Sequence, residues 1–200
     1  YWIFGAGGNL YDFTILFPVI FGSLTSIVVF ALVRVIGGTT AGLFSALLFS
    51  ISLPIIIRGQ LGWFKSEPLG LFFSILAVYL FLSGLNSKNP KITISKIIGA
   101  GIFIIFGLSA WGGDQFFILP LGIFILTLPF LQSNHKFLIW TIPLFTASIM
   151  ISSLAFERLG IHFITGFGGV SLIIPTIFLV SCIIIQNKSK ENYKQRNRCF

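Results

Sequence analysis

The sequence predicts an all-α membrane protein, a polytopic bundle of about seven transmembrane helices, on three observations. Mean hydropathy is +1.00, and 56% of the 200 residues are hydrophobic against 9% charged. A soluble domain of this size needs a more charged and hydrated surface. The apolar residues fall in blocks close to the ~20 residues that a helix needs to cross ~30 Å of hydrocarbon. Those blocks also lack the polar/apolar alternation of membrane barrel strands.

Taken in order, the first span runs from Phe13 to Val33 and stops at Arg34. The second runs from Thr40 to Ile57 and gives way to a polar stretch beginning at Arg58. The third, Pro68 to Leu85, follows Ser66, which suits a helix cap, while Pro68 suits the first turn and Glu67 sits at the positive end of the helix dipole. The fourth, Ile97 to Ala110, is short, with a start nearer Ile92 available if Lys96 snorkels. The fifth, Phe116 to Leu131, follows Asp114, read first as its N-cap and second as a site residue. Phe137 to Phe156 and Phe163 to Gln186 complete the set.

The domain organisation expected is an external segment over 1–12, a multispanning domain over 13–186 and a basic cytoplasmic tail or truncated connector over 187–200. With Tyr1 first and Met150 the only methionine, the chain reads as an internal piece of a longer protein.

Charge gives a direction of insertion. If the first span runs outside to inside, ten of the thirteen Lys and Arg residues fall inward: Arg34, Lys88, Lys91, Lys96, Lys136 and five in the tail. Only Arg58, Lys65 and Arg158 face outward, together with Asp12, Glu67, Asp114 and Glu157. The positive-inside rule therefore places the N-terminus outside and the C-terminus in the cytoplasm.

The same distribution narrows the function classes. The net charge of +8 sits mostly in inward loops and a tail suited to anionic lipid heads, so no nucleic-acid partner is expected. The 24 Phe read as lipid and helix contacts. Cys182 and Cys199 form no CxxC pair and read as inert thiols, and Asn187-Lys188-Ser189 reads as a chance glycosylation match on the inward side.

Chemistry is expected on the acidic face. The stretch Arg58-Gly59-Gln60-Leu61-Gly62-Trp63-Phe64-Lys65-Ser66-Glu67 joins two apolar spans. Two accounts of it stay open: interfacial anchors with a weak surface ion pair, or Arg58 on a phosphate and Glu67 on a divalent cation, since phosphates suit a guanidinium fork and hard cations suit carboxylates. A second outer turn, Ser109-Ala110-Trp111-Gly112-Gly113-Asp114, pairs an interfacial aromatic with two glycines. A third carries Glu157, Arg158 and His162, too few ligands to specify a metal. His135 reads as loop.

From Tyr11 to about Ile184 the chain resembles the catalytic subunit of oligosaccharyltransferase in its archaeal form, a multispanning glycosyltransferase of the GT-C fold. The resemblance is carried, in family order, by Phe17-Pro18, Phe21-Gly22-Ser23-Leu24-Thr25-Ser26, Ala41-Gly42-Leu43 followed by Pro54, the Arg58 to Glu67 loop, and Ser109-Ala110-Trp111-Gly112-Gly113. It implies transfer of an oligosaccharide from a lipid-linked dolichyl phosphate or pyrophosphate donor to Asn in Asn-x-Ser/Thr acceptor polypeptides, at the outer face of the membrane. It also implies a divalent cation, Mn or Mg, with Glu67 as a metal ligand. Arg58 and Glu67 become the catalytic residues. Arg58, Lys65, Trp111, Gly112, Gly113 and Asp114 become substrate-binding residues. The family motif reads Arg, six residues, Asp, one residue, Asp or Glu; here Lys65 replaces the first acid. An ammonium cannot ligate a metal, so the site is rebuilt or its activity altered, and the chain is expected to hold part of the catalytic apparatus and to be inactive alone.

Competing readings are a protein mannosyltransferase or other GT-C enzyme, which shares the lipid-phosphate donor but takes hydroxyl acceptors, a transporter, and a noncatalytic scaffold. The spans hold almost no internal ionisable residues, which disfavours a transporter. Lys65 is the feature that favours a scaffold.

Overall fold

The computed structural model describes residues 10–62, 64–131 and 135–196; at 10, 135, 136, 187 and 189–196 it describes the backbone alone. Among the described residues there are only helices and turns: α1 (Leu10–Ile51), α2 (Leu53–Arg58), α3 (Glu67–Leu85), α4 (Pro90–Ala110), a 3₁₀ turn (Gly112–Asp114), α5 (Gln115–Leu131), α6 (His135–Ser153), α7 (Gly160–Thr165) and α8 (Phe167–Arg196). The all-helical bundle matches expectation, and five described helices are long and apolar enough to cross a membrane, with Phe137–Ser153 a shorter apolar helix beside them. Two compact units divide the chain at Asp114.

In the first unit, α1 is a helical hairpin. Gly38 has φ 84 and ψ 179, a conformation open to glycine and costly for other residues. The chain doubles back there, so that Ser26 and Ser50 hydroxyls lie 3.1 Å apart and a side chain at Gly42 would meet the Phe30 carbonyl oxygen at 2.9 Å. In a straight helix residues 26 and 50 would be about 36 Å apart. The two arms, 10–37 and 39–51, thus carry the first and second predicted spans. The second arm stops at Ser52, which is extended at φ −68 and ψ 131, because Pro54 follows at the start of α2 and supplies no N–H to continue the ladder.

The first arm packs on α3 through Phe21 and Phe72, with ring centroids 5.6 Å apart, and reaches the preceding loop through Phe17 and Phe64 at 5.1 Å. The two helices run parallel, so thirteen residues on from each ring, about 20 Å along both axes, lie Arg34 and Leu85. Arg34 and the Asn86–Asn89 turn with Lys88 therefore share one end of this unit. Arg58, Lys65, Glu67 and Asp114 share the other.

Helices α3 and α4 form an antiparallel pair around buried Ala77, Phe81, Ile97, Ala100, Ile104 and Ile105. Small residues let the backbones approach, as is usual where lipid offers no hydrophobic drive for association. Helix α4 starts at Pro90, earlier than the predicted Ile97. Asn89 caps it by accepting the Lys91 N–H at 3.0 Å, and Lys96 donates its Nζ to Ser83 Oγ at 2.6 Å.

The second unit packs α5 and α8 side by side, with the α5 glycine Gly122 against the Ser171 backbone, and α6 against α8 through a buried Thr146–Thr176 hydroxyl pair at 2.8 Å. The last predicted span is divided: α7 ends at Gly166, which caps onto the His162 carbonyl, and α8 begins at Phe167. Helix α8 then runs to Arg196, so most of the expected tail continues as helix. The tail side chains apart from Lys188, together with Cys199 and residues 1–9 of the external segment, lie outside what is described.

Candidate functional site

Eight residues, 59–66, join α2 to α3 and bring the two ends of the predicted loop together. Gly59 closes α2 by donating its N–H to the Ile55 carbonyl at 2.8 Å. Gly62 turns the chain at φ 82, and its N–H reaches the Ile15 carbonyl at 3.4 Å, fastening the loop to the first arm. Helix α3 begins with Glu67 in its first turn and Pro68 after it, as expected; Ser66 holds the cap position without a side-chain cap bond.

Across that loop Arg58 Nη1 lies 2.8 Å from Glu67 Oε2, with the two side chains 51% and 22% exposed. A pair this open to solvent is worth about 0–1 kcal/mol, little enough to yield to a competing anion. Lys65 is exposed on the same loop. Beside the pair is a pocket of about 140 Å³ whose wall includes Pro18, Gly22, Pro54, Leu71 and Trp111 along with Arg58 and Glu67. The ion pair thus borders an apolar void.

Asp114 is not a helix cap. It is fully buried, and neither carboxylate oxygen has a hydrogen-bond partner. The carboxylate is directed between α3 and α4, where a Cβ on Gly70 would stand 2.7 Å from Oδ2 and one on Gly107 would stand 2.9 Å from it. The missing side chains at Gly70 and Gly107 make its niche. Ser74, the nearby polar group on α3, is also fully buried, and its hydroxyl has no partner in hydrogen-bond geometry. The same niche admits Trp111, whose Cβ would be 2.7 Å from a Cβ on Gly70. Trp111 in turn lays its ring over Gly113, where no side chain would fit. Gly113 thus lets the turn close and present Trp111 to the pocket.

Arg58, Glu67 and Trp111 are brought to one pocket; Lys65 lies on its loop, Gly112 and Gly113 shape the adjoining turn, and Asp114 supports that turn from inside. Pro18, Gly22 and Pro54 in the wall, and Gly70 and Gly107 near it, are site residues that residue chemistry did not single out, since none carries a polar side chain.

Residues 1–194 match the family profile described as oligosaccharyl transferase STT3, N-terminal. The chain belongs to this family. Two curated relatives are plant proteins, each named dolichyl-diphosphooligosaccharide–protein glycosyltransferase subunit STT3B. The one from Oryza sativa subsp. japonica is 30% identical over 108 residues, and the one from Arabidopsis thaliana is 29% identical over 108. Each alignment covers 54% of this chain and 14% of the relative. No solved structure gives a significant match.

For the divalent cation implied by the STT3 resemblance, no group of three or more His, Cys, Asp or Glu side chains comes together among the described residues; an ion such as Mg²⁺ is held by as few as one or two carboxylates with substrate phosphates and waters. Glu67 is engaged by Arg58, and Asp114 faces inward. In the second unit, Glu157 and Arg158 on the turn between α6 and α7 and His162 within α7 are exposed and form no such group.

Proposed function

We propose that this chain is the early membrane portion of an oligosaccharyltransferase, which moves an oligosaccharide from a dolichyl phosphate or pyrophosphate carrier to the side-chain amide of Asn in Asn-x-Ser/Thr acceptors. The activity belongs to the longer protein; the 108 aligned residues span 14% of each curated relative. The observation that carries the reading is the Arg58–Glu67 pair at the border of an apolar pocket. A lipid phosphate needs apolar space beside a cation, and an amide acceptor needs a hydrogen-bond acceptor within reach.

In this reading the amide nitrogen bonds to the anomeric carbon while the anomeric C–O bond breaks with its electron pair going to the phosphate oxygen, and one amide proton passes to a carboxylate or to water. Arg58 draws the phosphate and takes up the charge that develops on it. Lys65 adds a second positive charge. Glu67 accepts a hydrogen bond from the amide, and the Trp111-Gly112-Gly113 turn forms the floor. The charged end of the first unit faces outward and the Arg34 and Lys88 end faces the cytoplasm, in keeping with the positive-inside rule.

The test is Arg58→Ala and Glu67→Gln in the complete protein, with glycopeptide formation measured on Asn and on Ser/Thr peptides. Loss of one stabilising donor at a developing anion costs about 100-fold or more in turnover. Near-normal turnover in both variants removes the assignments, and transfer to hydroxyl acceptors in place of Asn replaces the acceptor class.

A further inference from the structure

We infer that Asp114, Ser74 and the carbonyl groups of Gly70 and Gly107 form a buried site for one small monovalent cation, a proton or a sodium ion, that neutralises the Asp114 carboxylate. The oxygens converge on one place. A Cβ on Gly107 would stand 2.9 Å from Asp114 Oδ2 and 3.1 Å from the Gly70 carbonyl oxygen, with Ser74 Oγ closer still. A Cβ on Gly70 would stand 2.7 Å from the same Oδ2 and 3.3 Å from the Gly107 carbonyl oxygen. Oδ1, Oδ2 and Ser74 Oγ all lack a hydrogen-bond partner, so two unpartnered polar side chains are aimed into one niche. Both side chains are at 0% exposure, which leaves no surface for a further segment of the protein to approach. What completes the site lies inside it.

An ionised carboxylate enclosed in this way has lost its water and is strongly disfavoured until a positive charge joins it. The carbonyls of Gly70 and Gly107 only accept, and the second already accepts the Trp111 N–H at 2.8 Å. A hydroxyl proton donated by Ser74 would serve one lone pair and leave the charge in place. Of the charged groups on the surrounding elements, Glu67, one turn before Gly70 on α3, is itself acidic and pairs with Arg58 at 2.8 Å. Lys65 is exposed on the loop before α3. Lys96 on α4 lies eleven residues before Gly107, about 16 Å along the axis, and donates to Ser83. The helix dipoles oppose each other, since the first turn of α3 and the last turn of α4 meet at this level. A proton on the carboxyl group turns one acceptor into a donor facing Ser74 Oγ or a carbonyl oxygen. A sodium ion takes the same set of carboxylate, hydroxyl and backbone carbonyls, the kind of group that binds Na⁺ and H⁺ inside membrane proteins. Either occupant lies three residues from Trp111 and so adjoins the pocket wall.

The full-length protein in detergent tests this with two readouts, neither of which involves glycan transfer. Infrared difference spectra between the wild type and Asp114→Asn report the carbonyl stretch of a protonated carboxyl group, and melting temperature in Na⁺ against choline reports a sodium site. With a proton as occupant, that stretch is present in the wild type, absent from Asp114→Asn and shifted in Ser74→Ala. With sodium as occupant, Na⁺ gives a saturable rise in melting temperature that is lost in Asp114→Asn and reduced in Ser74→Ala. The inference is overturned if Asp114→Asn removes neither a protonated-carboxyl stretch nor a stabilisation by Na⁺. Asparagine keeps the shape of a neutral carboxyl group; should that variant nonetheless fail to fold, Ser74→Ala decides, and an unshifted stretch together with an unreduced sodium effect overturns the inference in the same way.

Discussion

Replacing Gly107 by alanine tests whether the α3–α4 crossing is built around a missing side chain. A Cβ there would lie 2.9 Å from Asp114 Oδ2 and 3.1 Å from the Gly70 carbonyl oxygen, with Ser74 Oγ closer still. Two of these three oxygens belong to backbone or to a buried carboxylate, so neither yields easily. Gly99, on the same helix, is the control, since its Cβ would meet only Leu80 Cδ1 at an ordinary 3.6 Å. Both substitutions gain the same helix propensity, about 1 kcal/mol, which cancels in their difference and leaves the overpacking cost of about 1–3 kcal/mol. At about 2–4 °C per kcal/mol for a chain of this size, Gly107→Ala should melt roughly 2–12 °C below Gly99→Ala in detergent. A midpoint for Gly107→Ala equal to or above that of Gly99→Ala would refute the niche.

Three further outcomes are expected. With Cys182 and Cys199 changed to serine, Ser26→Cys with Ser50→Cys should cross-link on mild oxidation, because the parent hydroxyls are 3.1 Å apart; an uncross-linked chain would mean that α1 does not fold back at Gly38. Thr146→Val should cost about 0.6 kcal/mol and no more than ~1.7, since Thr176 keeps its bond to the Leu172 carbonyl, and chemical denaturation in mixed micelles measures it. Gly22→Val should fill the pocket without harming the fold, because a Cβ at Gly22 meets nothing within 4 Å; a raised KM for lipid donor at unchanged melting temperature is the expected signature, and an unchanged KM would exclude the pocket from donor binding.

The bundle was legible because hydropathy reports directly on burial in lipid. Both arms of α1 were visible as separate apolar runs parted at Arg34; the glycine that turns the chain, Gly38, was not singled out. Helix α4 was read as starting late because Lys91 and Lys96 interrupt its first turns. The better signal was Asn89-Pro90, a cap followed by a helix-opening proline. Arg58 and Glu67 were legible as a constellation, since only nine positions separate them. Asp114 was misread as a cap because local sequence favours that reading. What places it inside is the absence of side chains at Gly70 and Gly107, thirty-seven residues apart, and no local pattern reports that.

Three prolines border the pocket, Pro18, Pro54 and Pro68, contributed by α1, α2 and α3. Each ring locks its φ and lacks the N–H with which a helix could re-pair after sliding. The wall is therefore braced covalently at three points and resists collapse when nothing fills it. An isoprenoid or acyl tail arriving there would meet a berth already cut, and little of its binding free energy would go into arranging the host.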